Sequence, residues 1–252
     1  MSARGHAFGI DIGGSGVKGA SVNLDTGELA QERIKIATPQ PSTPQAVAAT
    51  VAELVAKADW DGPVGITLPA VVLDGVARTA ANIDRGWIGT DARALFAEAL
   101  GGRQVTVLND ADAAGLAEDR YGAAREYSGS VLLLTFGTGI GSALIYHGAL
   151  VPNTELGHME VGGMETEHRA AASVKERREL SFEQWAAEVS TVLIALENLF
   201  WPNVIVAGGG ISRDSDQWIP LLTNRTPVIP AHLRNTAGIV GAAMAVHDGI
   251  TP

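Results

Sequence analysis

The sequence predicts an α/β protein that uses one architectural motif twice. Two glycine-rich loops carry this first: Gly9-Ile10-Asp11-Ile12-Gly13-Gly14-Ser15-Gly16 and Leu134-Thr135-Phe136-Gly137-Thr138-Gly139-Ile140-Gly141, each set between two short apolar runs. Helical and β-branched segments then follow each loop, ending the first half at an acidic strand end and the second at another glycine turn. Finally, 30 glycines beside 5% aromatic residues in 252 positions suit a turn-rich α/β chain better than a helical bundle.

Taken in order, residues 7–23 read as a hairpin around the first loop, followed by a turn at Asp25-Thr26-Gly27 and a strand near Glu32–Ile36. After the proline-rich stretch 39–44, Val47, Val51, Leu54 and Val55 have helical spacing over 45–58. Val64–Leu68 reads as a buried strand. Residues 91–100 read as a helix with Asp91 as N-cap. Val105–Leu108 is a β-branched strand leading to Asn109-Asp110-Ala111-Asp112, with helix over 113–120 capped by Asp112. The second set starts at Ser130. Its strongest helix is 181–200, capped by Ser181, with Phe182, Trp185, Val189, Val192, Leu193, Leu196 and Leu199 as the apolar face. Val204–Ala207 returns as a strand before Gly208-Gly209-Gly210, and 236–247 is a helix of small residues.

Composition excludes several function classes. A chain without cysteine has no disulfide, thiolate nucleophile or cysteine-held metal. A net charge of −10 argues against non-specific nucleic-acid binding, and a polyanionic substrate then needs a local basic patch. No apolar run reaches membrane-spanning length, and the start at Met1–His6 has no apolar leader segment, so a soluble cytoplasmic protein is expected.

Glycine admits positive φ and leaves backbone N–H groups open to an anion, so each loop is a candidate phosphate cradle. In the first, Gly13, Gly14 and Ser15 would hold phosphate oxygens while Asp11 holds Mg²⁺ directly or through water. The alternative is a hairpin in which Asp11 caps its own turn. Lys18 is a point charge toward the phosphate, or a lysine on a solvated face. In the second, Thr135, Gly137, Thr138 and Gly139 are the corresponding candidates. Asp110 ends a strand at the edge where open α/β sheets bind ligands, and a carboxylate there suits a general base for a hydroxyl attacking phosphorus. Asn109, Asn82, Glu155, His158 and Glu167 have the acceptor and donor chemistry of a polyol site. The His158/Glu155/Glu160 spacing matches no strong zinc signature, so no zinc is expected. Arg169, Lys175, Arg177 and Arg178 form the densest basic stretch, either a guide for a polyanion or a solvated helix face.

Taken together, Asp11-Ile12-Gly13-Gly14, Gly137-Thr138-Gly139-Ile140-Gly141 and Ala207-Gly208-Gly209-Gly210 resemble the two phosphate motifs and the adenosine motif of the sugar-kinase, heat-shock ATPase and actin superfamily. Asn109-Asp110-Ala111-Asp112-Ala113-Ala114 and Glu155-Leu156-Gly157-His158 narrow the resemblance to the ROK sugar kinases. Within them, Thr79-Ala80-Ala81-Asn82-Ile83-Asp84, Trp87-Ile88-Gly89, Val151-Pro152-Asn153-Thr154-Glu155 and the segment 237–243 resemble the polyphosphate-using branch.

The resemblance implies a two-lobed actin-like ATPase (ribonuclease H-like) fold with its active site in the interlobe cleft. Residues 1–110 with the C-terminal helix 236–252 would be the small lobe and 111–235 the large one. It implies phosphoryl transfer from inorganic polyphosphate, and also ATP, to the 6-hydroxyl of glucose, with mannose as a further acceptor. Asp110 is then the base; Asn82, Asn109, Asp110, Glu155, His158 and Glu167 bind the sugar; Gly208, Gly209 and Gly210 face a nucleotide. Mg²⁺ as cofactor and a homodimer follow from the same likeness. The cysteine-rich zinc motif that most ROK kinases carry after the Glu-x-Gly-His segment is missing here. An ATP-dependent ROK hexokinase and a non-catalytic sugar-binding ROK protein are the alternative readings.

Overall fold

The computed structural model describes residues 5–252; the lead-in read over residues 1–4 lies outside them. The chain forms two compact units, one running up to Ala117 and including Asn235–Pro252, the other Glu118–Arg234.

The first unit opens with the expected hairpin, β1 (His6–Gly13) and β2 (Gly16–Asn23), closed by the pair Gly13 and Gly16. β3 (Ile34–Ile36) follows, then α1 (Pro44–Lys57), whose first turn is capped by the Thr43 side chain. β4 (Val64–Leu68), the short hairpin β5 (Val72–Leu73) and β6 (Val76–Ala77), and α2 (Ala92–Ala99) come next; Asp91 accepts from the Ala94 N–H at 2.8 Å. β7 (Val105–Asn109) runs into α3 (Asp110–Arg120), along which the chain passes into the second unit. The sheet order is β3-β2-β1-β4-β7, antiparallel through the hairpin and parallel from β1 to β4 and β7.

The second unit repeats this plan. β8 (Ser130–Phe136) and β9 (Ile140–Tyr146) form its hairpin, and β10 (Ala149–Val151) is the edge strand. The short hairpin β11 (Glu160–Val161) and β12 (Met164–Glu165) precedes α4 (Thr166–Ala170), α5 (Ala172–Arg177) and the long α6 (Phe182–Phe200). β13 (Val204–Gly208), α7 (Ser215–Trp218) and β14 (Val228–Pro230) complete it. The order β10-β9-β8-β13-β14 matches the first sheet strand for strand. The chain then returns to the first unit as α8 (Ala237–Asp248).

Small residues in α8 have a direct cause. A Cβ at Gly9 or Gly65 would lie 1.8 or 1.7 Å from the carbonyl oxygen of Ile239 or Ala242, and one at Gly241 would lie 1.8 Å from that of Ala113. The helix backbone therefore rests on the backbones of β1, β4 and α3, and any side chain at these glycines would push it away. In the second unit the core centres on Phe136, Trp185 and Trp218, with ring centroids 5.0–5.8 Å apart in edge-to-face arrangement. The indole N–H groups donate to the carbonyls of Ala170 and Ile211.

Two expectations need correction. Leu199 is 66% exposed and leaves the apolar face of α6. The buried stripe at that end is Leu193, Leu196, Glu197 and, partly, Phe200, an i, i+3, i+4, i+7 set that contains a carboxylate. Burial alone would raise the Glu197 pKa, but the N–H groups of Thr226 and Arg225 and the Arg225 guanidinium outweigh it and hold the carboxyl below its ordinary value. The helix after β7, for its part, starts at Asp110 rather than Ala113. Its cap is Asn109, whose Oδ1 accepts from the N–H groups of Ala111 (2.8 Å) and Asp112 (3.2 Å); Asp112 is buried within the first turn. β7 continues one residue further than its β-branched run, which puts the capping geometry at Asn109.

A further buried carboxylate belongs to the first residue of the second unit. Glu118, 1% exposed, accepts from Ala123 N–H (2.8 Å), His232 N–H (3.0 Å) and Leu233 N–H (2.7 Å). Among the described residues no helix is long and apolar enough to cross a membrane.

Candidate active site

In the first unit the candidate residues line one end of the sheet. Asp11 is aligned with Lys18 on β2 and with Thr67 on β4, and Thr67 with Leu108 on β7. Side chains aligned across a sheet share a face, so Asp11 meets both neighbours: Lys18 Nζ is 3.2 Å from Oδ2 and the Thr67 hydroxyl donates to Oδ1 at 3.0 Å. The N-terminal turn of α8 stands on the same face, a Cβ at Gly238 falling 3.1 Å from Asp11 Oδ1. The N-terminal end of a helix and an ammonium thus both stand beside the Asp11 carboxylate. Its oxygen donors suit a hard divalent cation. Lys18 already occupies one side, so coordination through water fits better than a dehydrated ion.

Two residues beyond Leu108, Asp110 leaves the sheet as the exposed first residue of α3, with its Oδ1 2.9 Å from the Ala111 N–H. Asn109 is buried, its amide donating to the Ala70 carbonyl at 3.2 Å while its oxygen caps α3. Much of its polar capacity therefore positions Asp110. Asn82 is exposed with φ of 59°, and its carbonyl oxygen lies 3.8 Å from where a Cβ at Gly14 would stand, beside the first glycine loop. Thr38 Oγ1 donates to the Gly13 carbonyl and steadies the loop from the far side.

In the second unit Phe136, fixed between two tryptophans, leads into the other loop. Gly137 N–H donates to the Gly139 carbonyl at 3.0 Å; Ser173 of α5 donates through its N–H to Gly137 O and through its hydroxyl to Thr138 O. Thr135 pairs with Gly208, so the third glycine turn adjoins this loop. Gly209 has φ of 86°, and a Cβ there would meet the Phe136 carbonyl at 2.1 Å; only glycine fits.

The segment Glu155–His158 forms a single 3-10 turn against β9. A Cβ at Gly157 would lie 2.2 Å from the Ile140 carbonyl oxygen, and Thr166 donates to the carbonyls of Leu156 and Gly157, both at 2.7 Å. Around His158 the structure gathers Glu155 (3.8 Å), Glu165 (3.4 Å) and Glu167 (4.0 Å), and His168 lies 3.7 and 3.8 Å from the last two. Burial raises the Glu155 pKa; His158 opposes this and the Glu167 charge adds to it. The other end of Glu167 touches the loop, its Oε2 2.3 Å from where a Cβ at Gly139 would be.

Candidate ligand atoms of His158, Glu165 and Glu167 all lie within 4.8 Å of one another, so sequence spacing understated the capacity of this cluster for a cation. Sequence reasoning also missed Thr67, Glu165, His168 and Ser173. Register alone brings Thr67 to Asp11, and a hairpin of two-residue strands brings Glu165 to His158. The basic stretch splits. Arg169 binds Glu188 at 2.7 Å and Val161 O, Arg178 reaches Glu188 at 3.5 Å, and Lys175 lies over the Phe182 ring. These three cations have partners within the second unit, and Arg177 is exposed.

A twice-used hairpin-and-parallel-strand sheet, glycine loops at both hairpins and carboxylates at strand ends define the actin-like ATPase fold class of sugar kinases. The chain belongs to the ROK family, whose model matches residues 7–172. It is 64% identical over 240 residues to polyphosphate glucokinase of Mycobacterium tuberculosis (strain CDC 1551 / Oshkosh), covering 95% of this chain and 91% of that protein. The structure matches the inorganic polyphosphate/ATP-glucomannokinase from Arthrobacter sp. strain KM with a TM-score of 0.91 and 47% identity, over 97% of this chain and 99% of that one. It matches a ROK family glucokinase from Streptomyces griseus, solved with glucose and AMPPNP, with a TM-score of 0.82 and 25% identity over 97% and 100%.

Proposed function

We propose that this protein is a glucokinase that transfers the terminal phosphoryl group of inorganic polyphosphate to the 6-hydroxyl of glucose. The observation that carries the reading, beyond the relatives' names, is the contact of Glu167 with Gly139. It joins a hydroxyl-binding cluster to a phosphate loop within one unit.

Glu155 and Glu167 accept from the sugar hydroxyls and His158 accepts from or donates to them, with Asn82 and Asn109 as further ligands. Asp110 accepts the proton of O6 as the new O6–P bond forms, and the bridging P–O bond of the donor breaks to release a polyphosphate shorter by one unit. Backbone N–H groups of Gly13, Gly14, Ser15, Thr138 and Gly139 would face phosphoryl oxygens, with the Thr135 hydroxyl beside the second loop, Gly137 shaping it through its N–H to Gly139 O, and Lys18 balancing charge near Asp11. Asp11 would hold Mg²⁺ through water; when bound, the ion neutralises charge on the transferring group. Binding of the sugar orients O6 and excludes the water that would otherwise hydrolyse the donor.

ATP is a second donor on this reading. Space around Gly210 is open and the turn Gly208–Gly210 adjoins the second loop, as an adenosine site requires. Mannose as a further acceptor, a cytoplasmic location and a homodimer rest on the ROK likeness. Initial rates of glucose 6-phosphate formation with polyphosphate and with ATP, at saturating glucose and Mg²⁺, test the assignment. Higher efficiency with polyphosphate is expected. Equal or higher efficiency with ATP overturns the donor choice, and no product with either overturns the kinase.

A further inference from the structure

The first phosphate loop has a cation beyond Lys18. β3 is the outer strand of the first sheet, and its Lys35 is aligned with Lys18 on β2, which is aligned with Asp11 on β1. The three residues therefore project from one face, on strand backbones about 4.8 Å apart. The charge of Lys18 is matched by Asp11 at 3.2 Å. Arg33, just before β3, donates to the carbonyl of Asn235 at 3.2 Å. Lys35 is exposed and forms no ion pair among the described residues.

Its stem does not extend away from the loop. Lys35 Cε lies 2.7 Å, and Cγ 3.5 Å, from where a Cβ at Gly16 would stand, so the side chain passes over the last glycine of the hairpin turn. The φ of Gly16 is not in the left-handed region, so the backbone conformation does not demand glycine there. Instead, the missing side chain leaves the Lys35 stem its path toward the turn.

A chain of net charge −10 that grips a polyanion must offset repulsion locally. The position of Lys35, at an open sheet edge and next to the turn that cradles phosphate, suits a phosphate further along the donor rather than the one transferred. ATP becomes a nucleoside after three phosphates; polyphosphate continues as an anion. We infer that Lys35 is a donor-specificity residue whose ammonium binds an inner phosphate of the polyphosphate chain. This rests on the donor reading above.

The test is steady-state kinetics of Lys35→Ala and Lys35→Arg with short and long polyphosphates of defined length and with ATP, at saturating glucose. One charge-assisted contact at an exposed site predicts a roughly tenfold rise in KM for long polyphosphate in Lys35→Ala. A weaker salt dependence of that KM is expected too, with KM for ATP within about twofold and KM for glucose unchanged. Lys35→Arg should restore most of the effect. Unchanged polyphosphate kinetics in Lys35→Ala, or an equal rise in KM for ATP, overturns the role of Lys35 alone. Absence of polyphosphate turnover in the unmutated protein overturns the donor reading and this inference with it. Lys35 is exposed, so matching melting temperatures separate the effect from misfolding.

Discussion

The two units carry their acidic side chains in opposite ways. In the first, Asp11 and Asp110 are fixed by regular structure: one sits in a cross-strand row with a lysine and a threonine, the other at a helix start capped by Asn109. In the second, Glu155, Glu165 and Glu167 crowd two histidines on a 3-10 turn, a two-residue strand and a five-residue helix. The first arrangement is preorganised for one geometry. The second holds like charges close together with acceptors to spare, which suits a ligand that supplies hydroxyl protons. Proton transfer is thus expected to depend on the first unit and most of the sugar recognition on the second.

The largest effect should come from Asp110→Asn. Loss of a general base costs about 10²–10⁴ in rate, so kcat should fall by that factor while the glucose Kd, measured calorimetrically, stays within an order of magnitude. Near-normal turnover would break the comparison at its first term. Glu167→Gln should act on the other term. Losing a charged acceptor predicts a rise in KM for glucose of roughly ten- to a hundredfold with a smaller change in kcat. A loss confined to kcat would instead place Glu167 with the chemistry.

The smallest effect concerns pH. The Glu155 pKa is raised, chiefly by burial. Its carboxylate therefore takes up a proton, and loses acceptor capacity, at a pH above the ordinary glutamate range as conditions become more acidic. A severalfold fall of kcat/KM for glucose is expected across that range, and Glu155→Gln should flatten it. An acid limb unchanged in Glu155→Gln would assign the titration to another group.

How much of this was legible in the sequence depends on the length over which a pattern runs. The β1–β2 hairpin, α1, α2 and α6 announce themselves through turn residues, caps and apolar spacing over eight or more positions. β11, β12 and α4 have too few residues for any periodicity, so the approach of Glu165 and His168 to His158 was hidden. Asn109-Asp110-Ala111-Asp112 offers three side chains able to cap, and only the end of β7 chooses among them. Leu199 misled for a related reason: an apolar stripe drawn by residue type steps over Glu197, which is buried because backbone N–H groups of a distant loop satisfy it. The glycines were easy to see as turns, but Gly9, Gly65 and Gly241 are there for the passage of α8, which no local pattern reveals.

Glu118 closes the second unit where its chain begins and ends. The chain passes from one unit to the other twice, after Ala117 and after Arg234. Glu118 and His232, beside these two passages, are 114 residues apart in sequence. One carboxylate splices them: it belongs to the first residue past one passage and grips the N–H groups of His232 and Leu233 just before the other. The start and the end of the second unit's chain are thereby fastened to each other by one side chain.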